Sequence, residues 1–95
     1  MVHNGIEETI EERGKKYGTS FAVQATTSQN IKRAMEGSPN WKRLPDDMRE
    51  SLSMIAVKIS RILNGDIYYH DSWHDISGYA KLVADTLEVP CKSNT

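Results

Sequence analysis

Residues 53–87 read SMIAVKISRILNGDIYYHDSWHDISGYAKLVADTL, and the fold turns on how this stretch is divided. Ile55, Ile59 and Ile62 recur at helical spacing before Gly65, and Ile76, Ala80, Val83 and Leu87 recur at the same spacing after it. Gly65 supplies a stop, and residues 66–70 are too few for anything but a tight connection. Two helices joined this closely pack antiparallel. The first carries Lys58 and Arg61 near its end, and the second carries Asp71, Asp75 and Tyr79 from its start. Asp71, Asp75 and Tyr79 follow one another at i, i+4 and i+8, so they share a helix face. Two cations and two acids therefore flank one corner. They form either a salt-bridged hairpin, through Arg61–Asp75 or Lys58–Asp75, or a polar binding site.

Upstream, Pro45 fits the first position of the earlier helix, and Asp46, Asp47 and Glu50 complement its positive end. Its expected core stripe is Met48, Leu52, Ile55, Ile59 and Ile62. Ser72 with Asp75 reads as a cap pair opening the later helix. Residues 21–36 form another helical segment with Phe21, Ala25, Ile31, Ala34 and Met35 inward and a cap at Thr19 or Ser20. Its middle, QATTSQN, is rich in side chains that compete for backbone hydrogen bonds, which predicts a bend near Thr27. Trp41 and Leu44 should plug the core from the following loop. A first helix is expected over residues 5–17, with Ile6, Ile10, Arg13 and Tyr17 on one face and Glu–Lys pairs outside. No run alternates at strand period. The expectation is an all-α, compact four-helix domain over residues 1–95, with a loose tail after residue 89.

Ninety-five residues make one domain. Such a domain buries only about two-thirds of its unfolded surface, so a homo-oligomer is expected. The net charge of −1, from 12 basic and 13 acidic residues, provides no field for duplex nucleic acid. The longest apolar runs are too short for a membrane span, and the N-terminus lacks the pattern of a secretion signal. Cys91 stands alone, so no internal disulfide forms, and a cytoplasmic location is expected.

Four rings, Tyr68, Tyr69, Trp73 and Tyr79, lie within twelve residues. Ordinary packing is expected for Trp73, and a base-stacking role for whichever ring stays exposed. His70 and His74 are four apart, but HDSWH lacks the glutamate of the metalloprotease motif and no cysteine lies near, so no metal site is expected. Ser72 has no triad spacing around it, and no glycine-rich phosphate loop is present. Arginine and lysine suit a phosphate, with an acid fixing a ribose hydroxyl, a metal or the arginine itself.

The combination of RGKKYG (13–18), MIAVKISR (54–61), NGD (64–66) and DSWHDISGYA (71–80) resembles a family of small tailed-phage proteins of unknown function. The order of helices is also distantly similar to the MazG-like all-α nucleoside triphosphate pyrophosphohydrolases. Those enzymes hold Mg²⁺ with E-x-x-E followed by E-x-x-D on neighbouring helices. Here Glu8–Glu11 supplies one E-x-x-E, but the second acid pair is Asp71–Asp75, some sixty residues on, and Lys58 and Arg61 stand where carboxylates belong. The resemblance therefore implies a non-catalytic, phage-encoded binder of a phosphorylated nucleotide-like small molecule, one that sequesters a host defence signal and needs no cofactor. The expected ligand-binding residues are Arg13, Tyr17, Lys58, Arg61, Asp71, Asp75 and Tyr79. The other readings are a divergent Mg²⁺-dependent pyrophosphohydrolase and a protein that binds and disables a host factor.

Overall fold

The structure, a computed structural model, describes residues 21–87. Within that span lie three α-helices, α1 (Phe21–Glu36), α2 (Asp46–Leu63) and α3 (His70–Ala84), and a short 3-10 turn at Trp41–Arg43. The described residues hold no strand and are all-helical, as expected. The helix expected over residues 5–17, its face of Ile6, Ile10, Arg13 and Tyr17, and the tail after residue 89 lie outside the described residues.

α1 is one continuous helix from Phe21 to Glu36, without a break near Thr27. The hydroxyls thought to break it are occupied in ways that leave the helix intact. Thr26 Oγ1 donates to the Ala22 carbonyl at 3.0 Å, one turn back. Thr27 Oγ1 accepts from Asn64 Nδ2 at 3.0 Å, and Ser28 is 6% exposed. The Thr27 contact turns its hydroxyl oxygen to a side-chain partner on α2, and the Thr26 back-bond to the i−4 carbonyl leaves the helix continuous. The helix ends where Gly37 N donates to Arg33 O at 3.0 Å and Ser38 Oγ donates to Ala34 O at 2.8 Å.

The turn that follows is held by Arg49 of α2. Its Nε donates to Trp41 O at 3.1 Å and its NH2 group to Lys42 O at 2.9 Å, while the guanidinium lies 5.8 Å from the Trp41 ring centre. Trp41 and Leu44 are half-buried. Pro45 stands one place earlier than expected, as the N-cap of α2 with φ −70° and ψ 167°, and its carbonyl accepts from Arg49 N at 3.1 Å.

α2 is the central element. Ser51 Oγ donates to Tyr79 O of α3 at 2.8 Å, and Lys58 Nζ meets Asp75 Oδ2 at 3.0 Å. Residue numbers rise along α2 as they fall along α3, so the two helices are antiparallel. On another side, Ser60 Oγ donates to Gln24 O of α1 at 2.5 Å, and Asn64 donates to Thr27. At 100° per residue, 51, 58 and 62 form one row and 56, 60 and 64 form another. Of the row expected to be the core, Met48, Leu52, Ile55 and Ile59 lie between them, while Ile62, buried as expected, falls on the first.

This corrects the expected core. The buried residues of α2 are Ser51, Ala56, Ser60 and Ile62; Met48, Ile55 and Ile59 are half-buried, and Leu52 is 38% exposed. Two helices pack on the flanks of the apolar stripe, each on small residues that permit close approach. The hydroxyls are accommodated because a helical carbonyl has a second lone pair to offer. Each such bond contributes about 1 kcal/mol net. In α3 the expected stripe fares likewise: Ile76 and Val83 are half-buried, but Ala80 and Leu87 are exposed.

The connection also differs from expectation. Asp66 Oδ1 accepts from Tyr68 N at 2.9 Å, and Asp66 O accepts from Tyr69 N at 3.1 Å. That turn delivers the chain into α3 at His70, with Tyr69 as N-cap. Ser72 is therefore inside the helix and 5% exposed, not a cap. Trp73, expected to pack in the core, is 55% exposed and donates Nε1–H to Ile67 O at 2.9 Å. With Leu63, Ile67 and Tyr68 it makes the connection an exposed apolar end.

Candidate functional site

The i, i+4 spacing of Asp71 and Asp75 continues through Gly78 and Leu82 as one row along α3, with His74 and Tyr79 on its two sides. His74, Asp75, Gly78, Tyr79 and Leu82 line an open groove of about 360 Å³. The antiparallel register brings Lys58 behind it.

Lys58 is the cation that pairs with Asp75, at 3.0 Å. Its side chain is only 13% exposed, whereas that of Asp75 is 40% exposed. The lysine thus holds the carboxylate in place from the helix interface, and the carboxylate retains acceptor capacity toward the groove. Tyr79 is half-buried, with its carbonyl bound by Ser51 and its side chain on the groove wall. Arg61 follows Lys58 by three residues and shares its side of α2. It is exposed and, by the register of the Ser51–Tyr79 and Lys58–Asp75 contacts, level with the first turn of α3.

Asp71 stands one turn before Asp75 and is exposed. It accepts from Tyr69 OH at 3.4 Å and lies 3.4 Å from His70 Nδ1. The His70 and His74 rings stack with centres 5.4 Å apart and planes 19° apart. Among the described residues, no three His, Cys, Asp or Glu side chains come together as a metal would require. Glu8 and Glu11 lie outside the described residues.

Of the seven expected site residues, the structure therefore brings Lys58, Asp75 and Tyr79 together. Arg61 and Asp71 stand one turn away, and Arg13 and Tyr17 lie outside the described residues. His74, Gly78 and Leu82 were missed as groove residues. Their signal was present in the spacing 74, 75, 78, 79, 82, which is a single helix face. It was obscured because histidine was weighed only as a metal ligand and glycine only as punctuation.

No protein-family model matches the chain, and neither a curated protein nor a solved structure is significantly similar to it. Among the described residues, no helix is long and apolar enough to cross a membrane.

Proposed function

We propose that the chain is a non-catalytic binder of a phosphorylated, nucleotide-like small molecule. The observation that carries this reading is the groove over Asp75, Gly78 and Tyr79, backed by the Lys58–Asp75 pair. Rings, an acceptor and an open floor suit a heteroaromatic base and a ribose. Asp71 to Gly78 spans about 10 Å of helix. A base seated at Gly78 thus directs its phosphate toward Arg61 and the first turn of α3. Arg61, exposed and level with the first turn of α3, is the cation assigned to the phosphate.

The test is to denature the purified chain, identify any released small molecule by mass, and titrate the refolded chain with nucleoside phosphates in a calorimeter. Binding without turnover is expected. Failure to bind any nucleotide at a concentration on the order of 1 mM sinks the reading. Pyrophosphate release with Mg²⁺ that disappears in Asp75→Ala would replace it with the MazG-like hydrolase.

We further propose that residues 5–17 form a fourth helix whose Ile6, Ile10 and Tyr17 cover the half-buried stripe Met48, Ile55 and Ile59. Two flanking helices leave that stripe incompletely covered, and an amphipathic segment is the economical way to cover it. Ile10→Asp is then expected to lower the melting temperature by roughly 8 °C, equivalent to about 2 kcal/mol in a domain of this size. A change within one degree would show that Ile10 covers nothing.

A further inference from the structure

Gly78 lies in the interior of α3, eight residues from its first residue and six from its last. Glycine there destabilises a helix relative to alanine. A glycine in such a place normally makes room for a neighbouring backbone or side chain. Here a Cβ built at Gly78 meets nothing within 4 Å. Nothing among the described residues requires the bare backbone. The space it leaves is the floor of the groove, between His74, Asp75, Tyr79 and Leu82.

We infer that Gly78 is the seat of a flat base and that Asp75 selects it for guanine. This rests on the proposed nucleotide reading and goes a step further. A ring resting on the bare turn has Tyr79 and His74 beside it for aromatic contact. Among the described residues, the only carboxylate, lysine or arginine lining the groove is Asp75, an acceptor with no donor of its own. Guanine presents two parallel N–H donors, at N1 and the 2-amino group, in the spacing a carboxylate accepts. Adenine presents an acceptor at N1, which faces a carboxylate unfavourably. Hypoxanthine keeps the N1 donor but lacks the amino group. The Lys58 contact at 3.0 Å fixes the carboxylate without saturating it, because two oxygens offer about four acceptor sites. Such charge-assisted bonds are the strong ones.

The experiment uses the full chain and three probes, GMP, IMP and AMP, in calorimetric titration, with melting curves for every variant. GMP is expected to bind about tenfold to a hundredfold tighter than IMP, and AMP more weakly still. Gly78→Leu is expected to keep or raise the melting temperature while weakening GMP at least tenfold, and Gly78→Ala to raise it by about 4 °C. Asp75→Asn should abolish the preference for GMP over AMP. Nucleotides that bind the wild type with no guanine preference, or equally well to Gly78→Leu, overturn this inference and leave the nucleotide reading standing. A Gly78→Leu protein that melts several degrees below wild type shows that the glycine serves packing and overturns it too. If none of the three binds, the guanine assignment falls, and the nucleotide reading falls with it when the other nucleoside phosphates also fail to bind.

Discussion

Replacing Ser60 with leucine is expected to destabilise the protein by about 3 kcal/mol, more than removing any side chain of the apolar stripe. Ser60 is 1% exposed and donates to Gln24 O across the α1–α2 contact. Leucine there adds bulk, its isobutyl group replacing a hydroxymethyl, to a contact with no room, and it also loses the hydrogen bond. Ser60→Ala isolates the second effect and should cost about 1 kcal/mol. By contrast, Leu52 is 38% exposed, and Leu52→Ala should cost less than about 1 kcal/mol. Urea unfolding of the three variants gives the ranking directly. Should Leu52→Ala cost more than Ser60→Leu, the core lies on the stripe after all and the helix contacts described above are wrong. For a domain with total stability on the order of 5–10 kcal/mol, the Ser60→Leu loss would consume a large share.

The second large effect is an asymmetry between the two partners of one ion pair. Asp75→Ala is expected to destabilise by about 2 kcal/mol, and Lys58→Met by about 0.5 kcal/mol. The reason is the difference in exposure, 13% for the Lys58 side chain against 40% for Asp75. Removing Asp75 leaves an ammonium at a helix interface with no counter-charge. Removing the Lys58 charge leaves a carboxylate that water can reach, and methionine keeps the apolar stem packed. The pair is half-exposed, so both figures are discounted from those of a fully buried pair. In the double variant Lys58→Met with Asp75→Asn, most of the Asp75 loss should return, because no charge is then stranded. Equal costs for the two single variants would contradict the burial difference. The same variants bear on function: Lys58→Met should weaken ligand binding modestly, through a less firmly held carboxylate, whereas Asp75→Asn removes the acceptor itself.

Arg61 is not the partner of Asp75, although both cations were candidates from the sequence. The choice depends on side-chain reach across an interface. Lys58 lies on the row of α2 that contacts α3, with Ser51 and Ile62. Arg61, three residues on, lies about 60° from Lys58 round the helix, and its side chain is exposed.

Local chemistry was enough to read the helical class, the approximate ends of the helices and the antiparallel hairpin. Gly37, Pro45 and Gly65 punctuate the chain, and period-3.6 spacing holds between them. These signals act within a turn or two of backbone, so no partner is needed to interpret them. That Asp75 faces the Lys58/Arg61 end of the preceding helix was legible for the same reason, but the choice of Lys58 over Arg61 was not. The tertiary structure alone decided which face of α2 is buried. Periodicity reports where apolar residues cluster around a helix, not where neighbouring helices land. Here α1 and α3 pack on two flanks through Ser60, Ala56, Ser51 and Ile62 and leave the richest apolar stripe between them. It also decided that Ser72 lies inside α3, because the Asp66 turn starts the helix two residues before the apparent cap. And it decided that Gly78 meets no neighbour among the described residues. A glycine that breaks a helix, one that admits a neighbour and one that floors a groove are the same letter, and only the surrounding atoms separate them.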